Sequence, residues 1–477
     1  RIKAEERERY REWATEAAGV YERNAKASVK RMAAVEKIMI AERFAEYPEI
    51  FFPHQMDYRG RIYPVPHHLT PQGDDLAKGL LRFAAGMPIT ERGAWWLKVH
   101  IANCFGVDKV SFAERVAWVE KNMDGLLDSA LEPVDGDRMW MNADDPIQAL
   151  AACFELAGYM LEGPTFVSRL SIPMDGSCNG LQNFSALLLD EVGGAETNLV
   201  PRSKPADIYT RVAEEVKRQL DQDIAAGSPY AAIWHGRVNR SLVKRPVMTL
   251  PYGATLSGMR SQIEEELMSS TPALFPRKDT WAACGYLATV TYAAIGRVVI
   301  AARGAMDWLQ EVARAVSKCD SPIWWTTPLG FPVLQDYRKK EAKQVWVHID
   351  GARERLILQF DGDKLDKGRQ ALGISPNFVH SLDSSHMMGT VMIGADNGIE
   401  HWSLIHDSYG THAAMTDVLH ACIREAFIEQ YSSNLLDKFR QEVTGQLDAE
   451  HLADIPEMPP VGTLDLAGVR DSLYFFA

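Results

Sequence analysis

No Cys-x-x-Cys pair occurs among the six cysteines, Cys104, Cys153, Cys178, Cys284, Cys319 and Cys422. Paired zinc sites are therefore not expected. So few cysteines in so long a chain also argue against a disulfide scaffold, and a reducing cytosolic compartment is the simple reading. No apolar run reaches the roughly 18 residues of a membrane span. A surplus of positive charge is missing too. The net charge of −13 argues against an all-over basic nucleic-acid binder, but leaves room for a basic cleft in an acidic body. Proline is absent before Pro48 and glycine from Val20 to Tyr47, so nothing breaks a helix there. Internal repeats and low-complexity tracts are absent.

What is present describes an ordered globular chain. With 477 residues, 46% hydrophobic and 24% charged, it exceeds one ordinary core and predicts about two to four subdomains. Basic residues cluster locally as Arg23, Lys26, Lys30 and Arg31, as Arg237, Arg240, Lys244 and Arg245, and as Arg338, Lys339 and Lys340. Each cluster alone fits a solvated surface. Residues Ile2 to Tyr47 read as one long helix paired with another element. Helical patterns follow at Thr90–Phe105, Ser111–Ser129, Pro146–Glu162, Leu181–Asp190, Asp207–Ala226, Trp281–Val316, Ser384–Ala395 and Thr416–Tyr431. Ile323–Phe360 reads as β-hairpins, and Asp361–Gln370 as a charged, mobile stretch.

Two short apolar runs each end on an aspartate: Leu170–Met174 before Asp175 in MDGSCNG, and Trp402–Ile405 before His406-Asp407 in HDSYG. Either aspartate alone fits an ordinary Asx turn. Brought together by folding, the two would offer hard oxygen ligands suited to Mg²⁺ beside substrate phosphates. Between them, Arg240, Lys244, Met248 and Tyr252 recur every fourth residue in RSLVKRPVMTLPYG, which on a helix makes one stripe. Arg and Lys suit a triphosphate, and a tyrosine can stack on a base. Pro246 and Pro251 predict a kink or an early end near Leu250.

MDGSCNG, R-x3-K-x3-MTLPYG and HDSYG resemble motifs A, B and C of the single-subunit, bacteriophage-type RNA polymerases. FPHQMDYRGRIY (Phe52 to Tyr63), TPQGDDLAKGLL (Thr70 to Leu81), ANCFGVDKV and GISPNFVHSLDSSH resemble the same family, in order from about Val29 to Ala477. The resemblance implies a right-hand fold, α+β and mostly helical, with a small antiparallel sheet in the palm. Residues 1–47 would be a partial thumb helix and 48–203 the first part of the palm. Residues 204–380 would be fingers, with a promoter-specificity hairpin at about 327–373, and 381–477 the second part of the palm.

The roles that the resemblance implies are specific. Asp175 and Asp407, assisted by the Gly176 carbonyl, would bind two Mg²⁺ ions. Arg240 and Lys244 would contact the triphosphate, with Lys244 protonating pyrophosphate. Tyr252 and Gly253 would hold the nucleotide, Tyr209 would position substrate and metal, and His380 would sense the ribose 2′-OH. His406 would lie beside the RNA 3′ end, and Arg61 with Asp57 near the hybrid or template. Trp346, His348, Arg353 and Arg355 are candidate promoter contacts by position. Gly180, where DNA-making fold relatives carry a bulky Glu, would leave volume for a ribose.

The implied partners are a DNA template, an RNA transcript and rNTPs, with no membrane, and the protein would act as a monomer. The alternatives are a DNA polymerase of the same fold and a non-catalytic nucleic-acid-binding remnant. The Arg1 start inside a helical pattern leads us to expect a fragment or processed form, without the family's N-terminal promoter-binding region. TLPY and compact motif spacing predict a phage-encoded protein in the cytoplasm of an infected bacterium, with a mitochondrial member as the other option.

Overall fold

The computed structural model describes residues 4–270 and 277–477. It is α+β and mostly helical, with only small antiparallel sheets. Helix α1 (Ala4–Phe44) runs unbroken, as its lack of proline predicts, but no second helix packs along it. Instead Trp13, Tyr21, Val29, Met32 and Met39 are exposed, and α1 is anchored near its end by Lys37–Asp74 at 2.5 Å. The expected pairing is therefore not seen among the described residues.

Strand β1 (Ser171–Asp175) leads through a turn into α2 (Asn179–Leu187), which is buried along its whole length. Asp207 caps α3 (Ile208–Ala225) by accepting the Tyr209 N–H at 3.2 Å, where a carboxylate also suits the helix dipole. Asn239 caps α4 (Arg240–Thr249) in the same way. That helix stops one residue before Leu250 and two before Pro251, close to the expected end. The helical region Trp281–Val316 proves to be two helices that meet at 104° around Val299. Val298, Val299 and Ile300 are three β-branched residues in a row, which lowers the cost of leaving the helix there. Ser111–Ser129 likewise divides at Asn122.

Strands β2 (Arg338–Ile349) and β3 (Ala352–Leu365) form a long exposed hairpin. Both residues of its Asp350-Gly351 turn have positive φ, the backbone that suits a tight two-residue hairpin. The pairing continues to Leu365 and a helix begins at Lys367, so the stretch expected to be mobile, Asp361–Gln370, is ordered. Helix α5 (Lys367–Asp396) passes without a break through the expected border at 380/381. Strands β4 (Ser403–Ile405) and β5 (Ser408–His412) complete a three-stranded sheet in the order β4-β5-β1. No single helix among the described residues is long and apolar enough to cross a membrane.

Most of the buried apolar side chains among the described residues form one contiguous cluster, including Phe184, Trp234, Trp325, Tyr409, Phe427, Phe475 and Phe476. Two cations, Arg115 and Arg424, are buried against it. Arg424, on α6 (Thr416–Gln430), has no carboxylate partner; it donates to the carbonyls of His420, Ser472, Leu473 and Phe476 at 2.6–3.4 Å. Burial pulls its pKa down to about 9. The guanidinium thus staples the C-terminal segment to α6. Replacing it by Met leaves several carbonyls unpaired inside the core. Arg424→Met is expected to destabilise the fold by about 3 kcal/mol, read as a lower denaturant midpoint; an unchanged midpoint would contradict this account of the staple.

Candidate active site

The two strand-end aspartates meet through register. β5 pairs antiparallel with β1 so that Ser408 faces Asp175 and Tyr409 faces Met174. Asp407 then lies in the two-residue turn between β4 and β5, where His406 takes φ +50°. The Gly176 N–H donates to the Asp407 carbonyl at 3.0 Å, locking the two turns together. On the other side the C-terminal segment adds its own bonds. Ala477 N–H donates to the Asp175 carbonyl at 3.1 Å, and Ser177 N–H to Phe475 O at 3.3 Å. Burial pushes the Asp407 carboxyl up to about 7, with Asp383 and Asp175 adding repulsion. A buried acid beside other acids favours a nearby cation. Among the described residues no group of three or more His, Cys, Asp or Glu side chains could hold a metal. Two carboxylates with a backbone oxygen still fit Mg²⁺, which takes few protein ligands and completes its shell with water and phosphate. The Gly176 carbonyl already accepts the Cys178 N–H at 3.0 Å and keeps one lone pair.

These aspartates line a cleft of about 1530 Å³ together with Tyr209, Arg240, Lys244 and Met248. The stripe on α4 is real. Leu242, Val243, Pro246 and Val247 are buried, while Arg240, Lys244 and Met248 face the cleft. Arg240 donates through Nε to Asp207 at 2.7 Å and its guanidinium lies 5.1 Å from the Tyr209 ring centre. Burial opposes charge on Asp207, but hydrogen bonds from Thr210 and Arg240 outweigh it and hold the carboxyl below its usual range. Burial, with help from Cys178, pushes the Tyr209 phenol up. Lys244 is exposed to the cleft.

Tyr252, His380 and His406 do not line this cleft; they form a cluster beside it. Tyr252 lies beyond the end of α4 and its ring sits 4.7 Å from that of His380. Gly253, at φ +80°, lies so close to α5 that a Cβ would stand 3.1 Å from the Leu372 carbonyl. The volume expected to be open at Gly180 is occupied. A Cβ there would stand 2.9 Å from Pro251 Cβ and 3.3 Å from Tyr252 Cζ. His406 packs edge-on against Tyr63 at 4.9 Å, and its buried Nδ1 has no partner. Burial pulls its pKa down to about 4.

The segment Asp57–Arg61 docks this cluster onto α5. Asp57 Oδ1 accepts the backbone N–H groups of Arg59 and Arg61 at 2.9 and 3.1 Å. Gly60, at φ +93°, turns its carbonyl toward the Ser384 hydroxyl, and a Cβ would stand 3.0 Å from that oxygen. Arg61 makes a two-pronged pair with Asp383, whose side chain is 0% exposed against 12% for the arginine. Arg61, expected near the hybrid or template, thus spends its guanidinium on a buried acid. Arg59, Tyr63, Asp207 and Asp383 escaped the sequence reading. One signal was available: Asp383 falls three residues after His380, on the same face of a helix.

A model of the DNA-dependent RNA polymerase family matches residues 87–456. The chain belongs to that family. DNA-directed RNA polymerase 1, mitochondrial, of Nicotiana sylvestris is 38% identical, covering 99% of this chain and 47% of its own length. DNA-directed RNA polymerase 2B, chloroplastic/mitochondrial, of Nicotiana tabacum is 40% identical over 92% of this chain and 43% of its own. DNA-directed RNA polymerase 2, chloroplastic/mitochondrial, of Arabidopsis thaliana is 39% identical over 98% of this chain and 46% of its own. The chain spans about half the length of these relatives. They are mitochondrial and chloroplast enzymes of plants by name, which overturns the expectation of an infected bacterial cytoplasm; a phage origin loses its support with it. Motif residues report shared chemistry, not compartment.

The Arg61–Asp383 pair generates a test. Arg61→Met strands a buried carboxylate and is expected to cost about 3 kcal/mol in a denaturant titration, most of it recovered in Arg61→Met/Asp383→Leu. Additive losses in the double variant would contradict a direct coupling.

Proposed function

We propose that this chain is the catalytic part of a DNA-templated RNA polymerase, which adds ribonucleotides to an RNA 3′ hydroxyl and releases pyrophosphate. The observation that carries the reading is the register of β1 against β5, which brings Asp175 and Asp407 to one end of a sheet, in a cleft that Arg240 and Lys244 also line. Family membership and relatives named as DNA-directed RNA polymerases support it. Residues 1–47 then act as thumb, the sheet as palm, the α3–α4 region as fingers, and the β2–β3 hairpin as the promoter-reading element. The compartment follows the organellar relatives.

In this reading Asp175 and Asp407, with the Gly176 carbonyl, would hold two Mg²⁺ ions, which would supply activation of the 3′ hydroxyl and charge stabilisation for the leaving pyrophosphate. Arg240, fixed by Asp207, offers a planar fork to the triphosphate. Lys244, with no such anchor, brings a mobile point charge and a proton for the departing pyrophosphate. Tyr209 braces Arg240 and closes the cleft behind the triphosphate. Tyr252 stacks on the incoming base. Gly180 lets Pro251 and Tyr252 pack against α2, and His380 senses the ribose 2′-OH, so ribonucleotides are preferred. DNA template, RNA transcript and rNTPs are the partners, and the chain works as a monomer.

Asp407→Asn should lower nucleotide addition on a primed RNA–DNA scaffold by roughly 10³-fold, the loss of several kcal/mol of metal-borne stabilisation. Scaffold binding should persist. Addition at the wild-type rate would sink the reading, and so would a preference for dNTPs over rNTPs in the unaltered chain.

A further inference from the structure

The segment Asp57–Arg61 carries two arginines, and only Arg61 has been accounted for. Arg59 is clamped by its own neighbour: Nε and one terminal nitrogen donate to Asp57 Oδ2 at 3.0 and 2.6 Å. The other terminal nitrogen is thereby aimed at α5, where it lies 2.7 Å from His380 Nδ1. A guanidinium has five donors and no acceptor, and it does not lose its proton in proteins. The bond therefore has one sense: Arg59 donates and Nδ1 accepts. Nδ1 carries no proton, and the imidazole must hold its proton on Nε2. Burial, with Arg61 and Arg59 beside it, pulls the His380 pKa down to about 2, so the ring stays neutral.

The surroundings keep this geometry from drifting. Asp57 is itself held by two backbone N–H groups. The Gly60 carbonyl accepts from Ser384, and Arg61 grips Asp383 one helical turn from His380. Tyr58 OH meets Tyr337 OH at 2.9 Å, which in turn accepts from Asn377 on α5 at 2.9 Å. On its other side the His380 ring packs on Tyr252. The imidazole thus sits between a fixed donor and the tyrosine that the functional reading assigns to the nucleotide.

We propose that Arg59 is a positioning residue that sets His380 as its Nε2–H tautomer, and so makes His380 a hydrogen-bond donor, rather than an acceptor, toward the sugar of the incoming nucleotide. The proposal rests on the polymerase reading for its substrate, but not for its tautomer. With Arg59 absent, Nδ1 can take the proton and the ring can turn an acceptor toward the sugar, so the difference between a 2′-OH and a 2′-H shrinks.

Two measurements test it. In the unaltered chain labelled with ¹⁵N-histidine, the His380 signals, assigned by their loss in His380→Ala, should show Nδ1 unprotonated and Nε2 protonated. A protonated Nδ1 would overturn the proposal whatever the variants do. On a primed RNA–DNA scaffold, Arg59→Met should lower the ratio of kcat/KM for an rNTP over the matching dNTP by about tenfold, the size of one hydrogen bond. Arg59→Lys, which keeps a donor, should retain more of that ratio, and Arg59→Met should add nothing in a His380→Ala background. Equal loss for both sugars, or additive losses, would reduce Arg59 to a structural role and overturn the proposal. Failure of the unaltered chain to add any nucleotide would instead strike the functional reading, and the nitrogen spectrum alone would then decide the tautomer.

Discussion

The site depends on one register. Because Ser408 stands opposite Asp175, two residues far apart in the chain come to one end of the same sheet. Side chains alternate along a strand, so a slip of one residue would turn Tyr409 out of the core and carry Asp407 away from Asp175. The fold opposes that slip in two ways. Tyr409 is fully buried and stacks on Phe476 at 5.3 Å. The C-terminal segment hydrogen-bonds to Asp175 and Ser177 from the other side, and Arg424 pins that segment to α6. Three separate pieces of the chain thus hold a pair of carboxylates that repel one another.

Asp175 is exposed and Asp407 half-buried, but holding like charges together is still costly, and the surroundings show how the charge is managed. Asp383, fully buried, is matched by Arg61; Asp57 is matched by Arg59 and two backbone donors. Asp207 is matched by Arg240. Asp407 has no such cation and its carboxyl rises toward neutrality. Asp407 is one of the two acids, with Asp175, that the functional reading gives to Mg²⁺. Arginines around the cleft therefore divide by duty. Arg61 and Arg59 are tied to acids beside the cleft, while Arg240, half-exposed, still presents part of its fork to it.

Much of the site was legible in the residues because it lies on periodic elements. Asp175 and Asp407 follow apolar runs that become β1 and β4, and each is followed by a small residue, Gly176 or Ser408. Arg240, Lys244 and Met248 share a helical stripe, and the prolines near its end mark where the stripe stops. What escaped were the buried charges. An acid such as Asp383 in a helical pattern looks like any solvated acid until Arg61, from a distant turn, is found against it. The bend at Val299 and the division at Asn122 were hidden because no proline marks either place, and the nearby Gly296 and Gly125 lie within helices. The reading of Gly180 as open space failed for a related reason. A missing side chain shows in sequence, but the Pro251 and Tyr252 that fill its place come from another segment.

The central claim is that Asp175 and Asp407 act as one metal-holding unit. It is tested most directly by titrating the chain with Mn²⁺ in the presence of a nucleoside triphosphate and following bound metal by electron paramagnetic resonance. The account predicts that Asp175→Asn and Asp407→Asn each weaken binding to a similar degree, and that combining them adds little. Mn²⁺ binding that survives both substitutions unchanged would contradict it.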